Sequence, residues 1–137
     1  MWNQKAAVTW REAVDECLEM DAYLIEPRNA ALNKIAKNFA GSWMGASDTE
    51  VEGDWIWATN SETLTYTAWA FQQPNNDEGD QDCLAMQNNG LWGDFQCDKP
   101  RPYVCLRKKG KSYTLSFLFI LSLRLLINHF IIEQIRI

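Results

Sequence analysis

The chain has 137 residues, 47% of them hydrophobic, with seven Trp and six Phe, which is enough apolar surface for one folded domain and too little chain for two full cores. Thirteen Lys and Arg against 18 Asp and Glu give a net charge of −5, so the chain is unsuited to gripping a phosphate backbone and nucleic acid is excluded as a partner. The acids are unevenly placed: no Lys or Arg occurs between Lys37 and Lys99, an interval holding eleven Asp and Glu.

Thr9-Trp10-Arg11-Glu12 is a capping box, in which Thr9 accepts from the third helical N–H and Glu12 reaches back. Trp10, Ala13, Val14, Cys17 and Leu18 follow at helical spacing and predict one apolar face. Tyr23-Leu24-Ile25 reads as a short strand that stops at the turn Glu26-Pro27-Arg28. Asn29 caps a second predicted helix, with Leu32, Ile35, Ala36 and Phe39 on one face and Gly41-Ser42 at its end. Short strand-like runs come next, at Trp43-Met44-Gly45, Trp55-Ile56-Trp57, Cys83-Leu84-Ala85-Met86, Leu91-Trp92 and Tyr103-Val104-Cys105-Leu106. Polar loops separate them, the longest spanning about 70–82, a length that is usually functional or disordered. Two helices followed by a meander of short antiparallel strands is an α+β pattern.

Four Cys at positions 17, 83, 97 and 105 admit three pairings, and their even number at wide spacing favours two disulfides in an oxidising compartment. With His129 as the only His and no Cys-x-x-Cys unit, a zinc site lacks ligands. Yet Met1-Trp2-Asn3-Gln4-Lys5 has no apolar signal region, so either the chain is cytosolic and reduced or its natural start lies ahead of Met1. The chain divides into a domain over 1–107, a basic linker over 108–112 and a hydrophobic tail over 113–137. The span 113–132 has the length of a membrane helix, but Arg124 sits inside it and the basic linker precedes it, against the usual orientation for an extracellular domain. Two readings of the tail remain: a membrane segment that anchors the domain, or read-through of non-coding sequence.

The ordered set of motifs over residues 2–106 resembles the C-type lectin-like domain. Thr9-Trp10-x-x-Ala13-x-x-x-Cys17 is similar to that family's first helix, Trp43-Met44-Gly45 to its Trp-Ile-Gly strand, and Glu52-Gly53-x-Trp55-x-Trp57 to the segment after it. Gln73-Pro74-Asn75, Asp82-Cys83 and Leu91-Trp92-Gly93-Asp94 stand at its sugar-loop spacings, and Tyr103-Val104-Cys105 matches its closing strand. The resemblance implies a disulfide-stapled C-type lectin-like fold with pairings Cys17–Cys105 and Cys83–Cys97, and a cis bond before Pro74. It also implies a further strand-forming stretch ahead of Met1, in keeping with a truncated start.

Calcium takes six to eight oxygen ligands, so an acidic, base-free interval is suitable chemistry where the acids converge. In the family one ion is shared between protein and sugar, and its positions map to Gln73, Asn75, Gln81, Gly93 and Asp94. Gln81 replaces an expected Glu and Gly93 an expected Asn, leaving Asp94 as the one carboxylate of the five. An auxiliary site maps to Asp48, Glu52, Asn76, Gln81 and Asp82, with three carboxylates. The resemblance thus implies Ca2+ as cofactor, with Asp48, Glu52, Asn75, Asn76, Gln81, Asp82 and Asp94 as metal ligands. It implies Gln73, Asn75, Gln81 and Asp94 as the carbohydrate-binding residues. The triplet Gln73-Pro74-Asn75 mixes the mannose-type and galactose-type patterns and settles neither. Most Trp are expected in the core, leaving Phe71 and Phe95 as candidates to stack on a sugar.

The expected function is carbohydrate binding by a secreted or extracellular lectin domain with a degenerate primary calcium site, its partners glycans or glycoproteins. The alternative is a lectin-like module that binds a protein ligand or a mineral matrix without calcium-dependent sugar recognition. No His or nucleophile motif lies in residues 1–112, so no enzyme is expected.

Overall fold

The computed structural model describes residues 4–107; the basic linker and the apolar tail expected beyond them lie outside the described residues. Helix α1 (Trp10–Glu19) starts at the capping box: Glu12 N donates to Thr9 Oγ1 at 3.3 Å and Thr9 N donates to Glu12 Oε2 at 2.9 Å. It buries Trp10, Ala13, Val14 and Cys17, but Leu18, expected on the same face, is 52% exposed. One residue beyond Cys17 the helix has turned by about 100°, which carries Leu18 off the stripe.

Helix α2 (Ala30–Ala36) is capped by Asn29, whose side chain accepts from Leu32 N at 2.9 Å. Its buried side differs from the apolar stripe expected of it, because Asn33 and Ala36 face inward while Ile35 is exposed. Trp92 Nε1 donates to Asn33 Oδ1 at 2.8 Å in the interior, and this bond fixes the helix rotation. A buried polar partner is invisible to hydrophobic periodicity.

The main sheet runs β1 (Lys5–Val8), β7 (Arg101–Tyr103), β3 (Trp43–Ser47), β5 (Cys83–Met86) and β6 (Trp92–Phe95), with β4 (Ile56–Trp57) beside β3. Its ladders are antiparallel except β3–β7, which is parallel at Trp43 and Tyr103, so the sheet is mixed. The apolar run at 103–106 does not form one strand. It divides between β7 and β8 (Cys105–Arg107), and β8 pairs with β2 (Ala22–Leu24) in a separate two-stranded sheet. Strands β3 and β5 are buried along their whole length, which explains their lack of alternation in the sequence.

Two apolar layers flank the sheet. One packs α1 through Trp10 and Val14 on Trp43, Ala85 and Tyr103. The other gathers Ile25, Met44, Leu84, Met86, Trp92 and Val104 beneath the loops. Trp92 is its hub, meeting the rings of Trp57, Tyr66 and Trp69 edge to face at centroid separations of 6.2, 5.8 and 5.6 Å. The pairings implied by the resemblance are present: Cys17–Cys105 ties α1 to β8, and Cys83–Cys97 ties the start of β5 to the chain just after β6. Among the described residues no helix is long and apolar enough to cross a membrane.

Replacing Asn33 by Ala leaves the buried Trp92 N–H without an acceptor, a loss of about 1–3 kcal/mol. Thermal melts of Asn33→Ala against the parent chain should show a clearly lower midpoint. An unchanged midpoint would mean that this bond does not fix α2.

Candidate functional site

The loop 70–82 is laid along the free edge of β6. Trp92 N donates to Ala68 O at 2.8 Å and Ala70 N donates to Trp92 O at 2.8 Å, so the incoming chain continues the edge like a short extra strand. Two residues further along the edge, Asp94 N donates to Gln73 Oε1 at 3.3 Å. The Gln73–Pro74 peptide is cis. The chain then passes over Asp94, whose Oδ2 accepts from Asn75 N at 2.9 Å and from Asn76 N at 2.6 Å.

Asn76 is the next fixed point. Its φ of +43° is left-handed, a conformation that Asn tolerates better than most residues. Its amide nitrogen donates to Glu52 Oε2 at 2.6 Å, and its amide oxygen accepts from Gln81 N at 3.0 Å. Asp77 N points at two amide oxygens, Asn75 Oδ1 at 3.3 Å and Gln81 Oε1 at 3.2 Å. Gln96 Nε2 donates to Asp80 Oδ2 at 2.7 Å near the loop's end. Asp48 sits at the loop's base, where Gly53 N donates to its Oδ2 at 2.9 Å and its own N–H donates to Asp82 O at 3.1 Å.

The structure therefore brings Gln73, Asn75, Asn76, Gln81 and Asp94 into one hydrogen-bonded unit, with Glu52 joined to it through Asn76. Two carboxylates are almost fully enclosed, Asp48 at 4% and Asp94 at 2% exposure, and each keeps one oxygen, Oδ1, without a hydrogen-bond partner. Burial pushes the Asp48 carboxyl up to about 6, opposed by the Gly53 N–H and reinforced by the charges of Glu52 and Asp82.

The orphaned oxygens of Asp48 and Asp94 are the feature that favours a cation. Of the other expected donors, Glu52, Gln73, Asn75, Asn76 and Gln81 are each engaged by N–H groups of the chain. At the positions of the shared ion, Gln73 Oε1, Asn75 Oδ1 and Gln81 Oε1 all face N–H groups of the chain, Gly93 offers no side chain, and Asp94 has one oxygen left. At the auxiliary positions Asn76 Oδ1 accepts from Gln81 N and Glu52 Oε2 from the Asn76 amide, each oxygen keeping a second lone pair. Among the described residues no three acidic, His or Cys side chains gather closely enough to hold a metal. Five of the seven expected ligands, Glu52, Asn75, Asn76, Gln81 and Asp94, are thus linked by hydrogen bonds, while Asp48 and Asp82 meet each other through a backbone bond.

Of the two stacking candidates, Phe71 is 89% exposed at the start of the loop and Phe95 is half-buried, with the Arg101 guanidinium 3.8 Å from its ring centroid. Phe71 is the ring left open. Gln87 was not singled out by its sequence context, a polar turn beside the strand Cys83–Met86; its amide lies against Gly93. Gly53, the donor to Asp48, was legible only as part of the Glu52-Gly53-x-Trp55 pattern.

The described residues form a disulfide-stapled α+β domain that lays a long polar loop beside an edge strand. The lectin C-type domain model matches residues 6–107, and the chain belongs to that family. Perlucin from Haliotis laevigata is 29% identical over 118 residues, spanning 79% of this chain and 76% of its own. The carbohydrate-recognition domain of cow CD23, solved in the presence of a GlcNAc2Man3 oligosaccharide, superposes with a TM-score of 0.72 at 25% identity, covering 80% of this chain and 86% of that one. A calcium-independent type II antifreeze protein superposes with a TM-score of 0.67 at 27% identity, covering 76% and 82%.

Asp48 also predicts a pH dependence. An unfolded Asp titrates near 4 and the folded one near 6, so between those values the native state holds more protons than the unfolded one. Stability in metal-free buffer should fall as pH rises through that window. Asp48→Asn should match the parent near pH 4 and exceed it at pH 7 in denaturant melts; equal gaps at both pH values would refute the assignment.

Proposed function

We propose that this domain binds glycans through the face formed by the 70–82 loop and the edge of β6, without a calcium ion at the sugar position. The observation that carries this reading is the inward use of the amide oxygens of Gln73, Asn75 and Gln81, which leaves the loop closed by the chain's own N–H groups. Sugar hydroxyls are then met by the outer functions of Gln73 and Asn75, and the apolar face of a sugar ring by the open ring of Phe71. The oligosaccharide present in the CD23 structure supports a glycan as the ligand class, and the calcium-independent antifreeze protein supports a fold that stands without the ion. The role is binding, with no catalytic step. Two disulfides suit a secreted or extracellular setting, where glycans and glycoproteins are the partners.

A second reading rests on charge. Glu50, Asp54, Asp77 and Glu78 are exposed in an interval with no Lys or Arg, a surface fit for a cationic protein or a mineral face. Salt separates the two readings, since such docking weakens steeply with ionic strength and neutral sugar recognition does not.

The full chain on a glycan panel, with calcium and then with chelator, tests the proposal. Binding of equal strength in both conditions is expected, with loss on Asp94→Ala. Binding that vanishes with chelator, or no glycan binding at all, would contradict it.

A further inference from the structure

We propose that Arg101, with the Gln87 amide beside it, forms an oxyanion-binding site on the α1 side of the main sheet, fit for the sulfate or carboxylate of an acidic ligand. Asp94 faces the loop layer, so this site lies on the other side of β6 and does not depend on the glycan reading.

Register and packing place the site. Gly93 and Phe95 stand on β6 opposite Ala85 and Cys83, which belong to the layer under α1 together with Trp43 and Tyr103. Arg101, two residues before Tyr103 on β7, lays its guanidinium across that layer. Its Cζ is 5.3 Å from the Trp43 ring centroid and 3.8 Å from that of Phe95. Trp43 is fully buried and its Nε1 donates to Val8 O at 2.9 Å, so the guanidinium rests on a fixed platform. Gln87 reaches the same patch from the end of β5. A Cβ placed on Gly93 would fall 2.5 Å from Gln87 Nε2 and 3.0 and 3.2 Å from Phe95 Cε2 and Cζ, so amide and ring share the space over Gly93.

The guanidinium lacks an acceptor. Arg11 pairs with Asp15, and Arg28 with Glu26 and Glu62. Arg101 is half-buried, yet among the described residues no carboxylate, carbonyl or hydroxyl accepts from it, and its Nε is enclosed without a partner. Leaving a charged donor so placed costs more than leaving a neutral one. Burial pulls its pKa below the usual arginine value, and it remains a cation at neutral pH. A guanidinium stacked on rings spends its face on them and keeps its coplanar N–H edge for a bidentate acceptor. Sulfate and carboxylate both present two oxygens to such an edge, and the Gln87 amide supplies a neutral donor beside the same ring.

The full chain, isotopically labelled, is titrated with sodium sulfate, sodium acetate and sodium chloride at equal ionic strength and followed by NMR. Sulfate or acetate should shift the Arg101 Nε–H, Trp43 indole and Gln87 side-chain amide signals to saturation, and chloride should not. The oxyanion that binds more tightly identifies the ligand class. Arg101→Lys keeps the charge and loses the fork, and should bind that ion about tenfold more weakly, the worth of one charged hydrogen bond; Gln87→Ala should bind it about threefold more weakly. Equal, non-saturating shifts in all three salts, or shifts centred on the 70–82 loop, would overturn the inference with the parent chain alone. Undiminished binding by an Arg101→Lys chain whose thermal midpoint matches the parent would overturn it as well. Each of these failures leaves the glycan reading standing, because that reading concerns the other side of β6.

Discussion

The loop region depends on one carboxylate. Asp94 is 2% exposed, yet its Oδ2 takes the backbone N–H groups of both Asn75 and Asn76, and its own N–H donates to Gln73. Hydrogen bonds to an ionised acceptor are roughly twice as strong as neutral ones, and a carboxylate out of water is tolerable only with such partners. The loop has little else to hold it. Its one large apolar side chain at the entrance, Phe71, points into solvent. What makes Asp94 a fixed point is the layer beneath it: Trp92, locked by Asn33 and three aromatic neighbours, sets β6, and Cys83–Cys97 fastens both strands of the hairpin at the other end.

The acids of the base-free interval separate into groups with different physical tasks. Asp48 and Asp94 are enclosed and each accepts backbone N–H groups; Glu52 is held by an amide; Glu62 pairs with Arg28 at 2.8 Å; others lie in water. Two neutral side chains, Asn76 and Gln81, link these acids to the loop. An amide at Asn76 meets Glu52 with a donor where a carboxylate would meet it with a like charge. At Gln81 the side-chain amide oxygen accepts from Asp77 N, while the main-chain N–H donates to Asn76 Oδ1. The neutral side chains thus tie the loop together without adding charge to an acidic region.

Much of the fold was legible in local chemistry. The capping box at Thr9 and Glu12, the Asn29 cap and the short apolar runs all became elements close to their expected places. The cysteine pairing was not legible from spacing, which left three options, and came from the family resemblance. Three things stayed hidden for physical reasons. The rotation of α2 is set by a polar residue, Asn33, that periodicity counts as solvent-facing. The division of residues 101–107 between two sheets turns on pairing partners distant in sequence, Trp43 for Tyr103 and Leu24 for Cys105. At the site, the positions were identifiable one by one, but the direction of each amide oxygen was not, and neither was the arrival of Gln87 over Gly93. A residue type says what a side chain is able to bind, and only the fold says what has already bound it.

The central claim is that the chain's own donors and amides close the 70–82 loop onto Asp94. Hydrogen exchange of the Asn75 and Asn76 amides, the two donors to Asp94, addresses it most directly when followed in calcium and in chelator. Protection that is the same in both conditions is the predicted result. Protection that appears only with calcium would contradict it and return the loop to control by the ion.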